Sequence, residues 1–179
     1  MLQFLLYFWQ MCLLRSSPER APVAAGFIPF IATVNVTCNT VLLTISNTGN
    51  QISNAVQLAI LSIVFQMTCI WLLLAFKRLG SRFRATLVAL LGTNSVFTIF
   101  TILLSLLLIV VDNQIMIQII EQAYWIVFFW WLAVAGFILH KAINVSVMQG
   151  ITLYFTIELL HLVATTTILP SSLQAVSQS

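Results

Sequence analysis

Five stretches of this chain, residues 23–45, 54–76, 85–111, 122–139 and 145–168, run for 18 to 27 residues apiece, and the only Lys, Arg, Asp or Glu in any of them is Glu158. A helix crosses a bilayer core about 30 Å thick with roughly 20 apolar residues, so each stretch is long enough, or nearly so, to span. Barrel strands would alternate in polarity over about 10 residues, whereas these runs are apolar throughout. Only 6% of the chain is charged, against about 25% of a typical soluble domain. Hydrophobic residues make up 61%, and the mean hydropathy is +1.08. A soluble enzyme, a disordered tail and a nucleic-acid-binding domain would each need more charge than this. The expected fold is therefore all-α: a polytopic membrane helix bundle of five transmembrane helices behind an N-terminal interfacial amphipathic helix.

The breaks between the runs carry turn chemistry or charge, at residues 46–50, 77–84, 112–114 and 140–144. The chain divides into residues 1–22, a short helix and elbow; residues 23–169, the five-helix membrane domain; and residues 170–179, a short polar tail. The fourth run is the shortest and can borrow a turn from residues 115–120. The brief break after it forces the last two helices into a hairpin. Residues 1–14 are apolar but too short to span, and Gln3, Tyr7 and Gln10 leave a narrow polar stripe at helical spacing. A signal peptide would show a basic start and a small-residue cleavage site, and neither is present. Two readings stand: a helix lying along the membrane surface, or an extension packed on the bundle. Pro18 and Pro22 then disfavour helix at the residues before them and make an elbow.

Cytoplasmic loops of membrane proteins are enriched in Lys and Arg. Arg15 and Arg20 precede the first run, Lys77, Arg78, Arg82 and Arg84 fill the second loop, and Lys141 lies in the fourth. Five crossings place all seven on one face; four or six would scatter them. The expectation is a multi-pass membrane protein with its N-terminus in the cytoplasm and its C-terminus outside. The loop of Lys77, Arg78, Arg82 and Arg84, with Leu79 and Phe83 interleaved, is expected to fix that topology. It can also hold anionic lipid head groups, at about 1 kcal/mol per cation.

Polar side chains at bilayer depth are where function shows. Glu158 and His161 share one face of the fifth run. Asn35 lies near the middle of the first, with Asn39 a turn further out, and Gln66 near the middle of the second. These heights match, so Glu158, His161, Asn35, Asn39 and Gln66 are expected to meet inside the bundle. Two explanations compete. Glu158 and His161 exchange protons in a transport or signalling cycle, or a neutral Glu158 serves as hydrogen-bonding glue between helices. Asn94 stands somewhat inward of that level.

Other chemistry is poorly supported. One Glu-x-x-His pair is half of what a di-iron bundle needs, and no other carboxylate lies within a run. There is no nucleophile elbow, no His-Glu-x-x-His and no phosphate loop. Cys12, Cys38 and Cys69 are too scattered for a disulfide framework or a thiolate site. No catalytic, cofactor-binding or metal-binding residue is expected, and no enzymatic activity. The serines and threonines within the runs are expected to bond back to their own helices. Asn35-Val-Thr37 and Asn144-Val-Ser146 match the glycosylation pattern by chance. Tyr124 and Trp125 suit an outer aromatic belt, and Phe128, Phe129, Trp130 and Trp131 lie deeper, as lipid-facing or packing bulk in preference to a ligand cage, since no concentrated polar group accompanies them. Gly136 and Gly150 allow close helix approach.

The segment Leu13-Leu14-Arg15-Ser16-Ser17-Pro18-Glu19-Arg20-Ala21-Pro22, after a short apolar helix and before five spans, resembles that of small bacterial membrane proteins of the Yip-like group. That group is similar to the eukaryotic Yip family, with five spans, a cytoplasmic N-terminus and an association with Rab GTPases and vesicle traffic. The Asp-Leu-Tyr-Gly-Pro signature and the long hydrophilic N-terminal domain of the eukaryotic proteins are absent. The resemblance therefore implies a fold and a location, the bacterial inner membrane, rather than a trafficking role. The expected function is a membrane-embedded interaction or organising component, in contact with the lipid bilayer and with a second copy or another membrane protein. The alternative is a small proton-linked transporter or channel subunit using Glu158 and His161.

Overall fold

A computed structural model describes residues 2–16, 18, 26–46 and 52–168. The described residues form six α-helices and no strand: α1 (Leu2–Cys12), α2 (Phe27–Ser46), α3 (Ile52–Phe76), α4 (Phe83–Val110), α5 (Gln114–Ile143) and α6 (Val147–Ile168), with a 3₁₀ turn at Gly80–Arg82 between α3 and α4. The chain is an all-α helical bundle. The five helices from α2 to α6 are long and apolar enough to cross a membrane. Residues 23–25, most of the elbow including Arg20, the first loop and the polar tail lie outside the described residues.

The fourth helix is the main departure from the expected boundaries. It runs for 30 residues from Gln114 instead of 18 from Gln122. Asn113 explains the early start: its side-chain oxygen accepts from the Ile115 N–H at 2.9 Å and caps the helix. At 1.5 Å per residue α5 is about 45 Å long, so Glu121 and Lys141 sit in its ends, beyond a core of about 30 Å. Its other end carries Asn144 in the left-handed conformation, φ 54°, which Asn tolerates better than most side chains. Arg82 completes that end, donating to the carbonyls of Lys141 (3.1 Å) and Ala142 (3.3 Å) and to the Asn144 side-chain oxygen (3.3 Å). A cation on the last carbonyls of a helix also complements its dipole. These bonds hold the α3–α4 loop and the α5–α6 turn at one end of the bundle, called here the basic end. Of the four loop cations, Lys77, Arg78 and Arg84 are exposed, and Arg82 is half-buried in this structural role.

The α5–α6 hairpin makes the most extensive helix contact in the molecule. Gly136 and Gly150 face each other across it: a Cβ on Gly150 would stand 2.2 Å from the Gly136 carbonyl oxygen. A capping box begins α6, with Ser146 N–H donating to Gln149 Oε1 (3.0 Å) and Gln149 N–H donating to Ser146 Oγ (3.2 Å). The central helix is α4, which packs on α2 and α5 and is buried without interruption from Thr86 to Thr93. Many of the spanning-helix hydroxyls bond to the carbonyl four residues back, as in Thr33 to Pro29 and Thr37 to Thr33.

Of the two arrangements weighed for α1, its contacts describe packing on the bundle. Phe8, Met11 and Cys12 are buried, and a Cβ on Gly92 would lie 2.1 Å from the Phe8 ring. Gly92 is nine residues into α4, so α1 crosses α4 about 7 Å from its midpoint. The Trp130 indole N–H donates to the Cys12 carbonyl at 2.9 Å, satisfying one of the helix's terminal acceptors. Leu14, in the left-handed region, closes the helix through bonds from Leu14 N–H to Met11 and from Arg15 N–H to Gln10.

Candidate functional site

Asn35 is 1% exposed, on the face of α2 turned toward α4. Its amide donates to the Leu91 carbonyl (3.1 Å) and to Ser95 Oγ (3.2 Å), pinning α2 to the central helix. One turn on, Asn39 donates to the carbonyl and side-chain oxygens of Asn35 at 2.9 and 3.0 Å. On the opposite side, α3 meets α6 through two polar pairs. Gln66 donates to the Tyr154 hydroxyl, and Ser62 Oγ lies 2.7 Å from His161 Nε2. His161 Nδ1 is in turn 3.9 Å from Glu158 Oε2. Tyr154, Glu158 and His161 fall at i, i+4 and i+7 on α6 and so share one face.

These groups line one cavity of about 140 Å³. Asn35, Asn39, Gln66, Glu158 and His161 all contribute to it, as do Ser62 and Asn94. Its position follows from counting along each helix from the basic end. Asn35 is eight residues from the start of α2, Gln66 ten from the end of α3, Asn94 eleven into α4 and Glu158 eleven into α6. At 1.5 Å per residue these are heights of about 12 to 17 Å, the middle of a core about 30 Å thick. The side chains of Glu158 and His161 remain 27% and 25% exposed, and both face the cavity. There is room for several water molecules among polar partners, the condition for a wet cavity.

Tyr154, Ser62 and Ser95 were not among the residues singled out from sequence, and Asn94, placed inward of the cluster by its depth, lines the cavity with it. Tyr154 had a usable signal, since it precedes Glu158 by one helical turn. The serines had none, because a serine in an apolar run bonds back to its own helix far more often than it meets a partner. Both glycosylation matches are accounted for by structure: Asn35 is buried against α4, and Asn144 and Ser146 cap two helices. Among the described residues, no group of three His, Cys, Asp or Glu stands close enough to hold a metal ion.

Five apolar helices around a polar centre at mid-height are consistent with a multi-pass membrane protein. No family model, no curated protein and no solved structure matches the chain.

Proposed function

We propose that this chain is a bacterial inner-membrane protein, N-terminus in the cytoplasm and C-terminus outside, whose central site takes up and releases a proton at Glu158 as part of a small proton-linked transporter or channel. The observation that carries this reading is the polar cavity at mid-height, with Glu158, His161 and Ser62 strung across it from α6 to α3. An ionisable group at the bilayer centre is expensive and marks a functional site by default. A carboxyl sealed between helices would be glue; one that faces a cavity able to hold water has a proton donor and acceptor beside it. His161 can accept on one ring nitrogen and donate from the other; it bonds the Ser62 hydroxyl, and a water in the cavity can bridge the 3.9 Å between its other nitrogen and the carboxyl. At about 140 Å³ the cavity holds a few waters and is too small to cross the membrane by itself, so a path through the membrane needs several copies to assemble.

The test is proton flux into proteoliposomes under an imposed pH gradient, read with an entrapped pH dye. Wild type is expected to exceed protein-free vesicles, and Glu158→Gln to fall to their level while eluting as the wild type does from a sizing column. Equal flux from the variant, or none from wild type, overturns the reading.

A second reading, an interaction or organising component similar to the Yip family, is favoured by a separate observation. Trp71, Leu72 and Leu160 line an open apolar groove of about 660 Å³ between α3 and α6, on the outer surface of the bundle. A second copy or another membrane protein fits such a flank. Copurification in mild detergent of a stoichiometric companion, with no proton flux, would favour it over the first.

A further inference from the structure

A second cavity, of about 530 Å³, opens between α2, α4 and α5 and extends from the central site away from the basic end. It shares Asn39, Asn94 and Trp131 with the polar cavity, and its walls are otherwise largely apolar and aromatic, the hydroxyls of Thr98, Thr101 and Tyr124 being engaged by Asn94, Phe97 and Ser105. Phe97, Trp125, Phe128 and Trp131 surround it, and α2 and α5, which form its rims, make little contact with each other. The cleft is therefore open sideways, toward lipid. Its size, its apolar lining and its few polar groups at one end are those of a small-molecule site.

The polar floor restricts the occupant. Among the described residues the Asn94 side-chain amide has no hydrogen-bond partner, although its backbone carbonyl accepts from Thr98 at 2.9 Å. Asn39 uses its amide nitrogen on Asn35, and its side-chain oxygen is left as an acceptor. A ligand head at this height must be neutral, because charge at mid-bilayer is costly. It must also offer an acceptor for the Asn94 N–H. A phospholipid fails on both counts: its head is charged and belongs at the surface, and its tails carry no hydrogen-bonding group. A fatty acid meets the second condition only when protonated, and its flexible chain makes little use of four aromatic walls. A flat conjugated ring with carbonyl oxygens meets both, stacking offset or edge-on against Phe and Trp. We propose that this cleft binds a quinone-class membrane lipid, with a ring carbonyl on the Asn94 amide and the ring among Phe97, Trp125, Phe128 and Trp131. In the reduced form a ring hydroxyl donates to the Asn39 oxygen. The site does not depend on whether Glu158 titrates.

The test is titration of the detergent-purified protein with a decyl-tailed ubiquinone, read as quenching of tryptophan fluorescence and as ligand retained through gel filtration. Saturable binding of one equivalent is expected. Asn94→Leu should weaken it about fivefold, the loss of one hydrogen bond, and Thr101→Phe, which fills the cleft, should abolish it. Oleate at equal concentration should not displace the quinone. The proposal is overturned if wild type shows no saturable binding, if well-folded variants bind as tightly as wild type, or if oleate displaces the quinone, which marks a groove for lipid tails only. Should both variants fail to fold, wild-type binding together with the oleate competition decides it.

Discussion

At the scale of single residues, the bundle treats its few polar groups in two ways. Asn35 is consumed by structure, with two bonds to α4, whereas Glu158 and His161 keep a face on a cavity. Sequence height alone grouped these residues, because depth along a helix is simple counting. It could not separate anchor from site, since that depends on which neighbour each side chain meets. Cys12 is a residue whose chemistry only packing reveals. Burial at the α1–α4 contact pushes its thiol up to about 12 from an ordinary value near 9. A raised value keeps the thiol protonated through neutral and mildly alkaline pH, and the thiolate is the nucleophile. In a variant lacking Cys38 and Cys69, maleimide labelling of Cys12 is therefore expected to be slow throughout and still rising about tenfold per pH unit at pH 9, with no levelling off. An ordinary exposed thiol would label far faster and begin to level off as the pH passes its own value of about 8.5. Gly92→Leu, which drives α1 off its seat against Phe8, should raise the rate; fast labelling of the wild type would mean α1 is not docked.

Among the elements, the α5–α6 hairpin shows how local signals combine. Asn113 starts α5, Asn144 ends it, and the Ser146–Gln149 box starts α6. All three are readable as sequence patterns, yet the apolar-run criterion trimmed α5 by eight residues because it stopped at Glu121. A hydrophobicity count marks the part of a helix inside lipid, and says nothing of the part that continues into water. The glycine pair is less legible: Gly136 and Gly150 lie on different helices, and their apposition depends on the turn between them. Gly150→Val should separate the helices, because the added carbons meet the Gly136 backbone rather than a flexible side chain. A loss of roughly 1 to 3 kcal/mol is expected from such overpacking, measurable as a lower midpoint in thermal or denaturant unfolding in detergent. Gly26→Val, where nothing lies within 4 Å, serves as the control.

For the whole molecule, the contact between Arg82 and the end of α5 brings the basic loop and the Lys141 turn to the same end, as the two helices between them, α4 and α5, require if both cross. Cysteines introduced at Ser81 and Asn113 should therefore label from opposite sides of intact cells stripped of native cysteines. Ser81 should react only with a membrane-permeant reagent, and Asn113 with an impermeant one. The same result at both positions would overturn five alternating crossings, and the reverse pattern would overturn the orientation. The sequence by itself marked five helices long and apolar enough to span and the height of each polar group along them. Both follow from hydrophobic length and residue position, which are properties of one helix in lipid. Which faces turn inward was decided only by tertiary structure. The bilayer supplies no hydrophobic force between helices, so close backbone approach and a few side-chain bonds select the packing. That packing made a cavity of Glu158 and His161, a cleft of Asn94 and four aromatic rings, and a seat for α1 on Gly92.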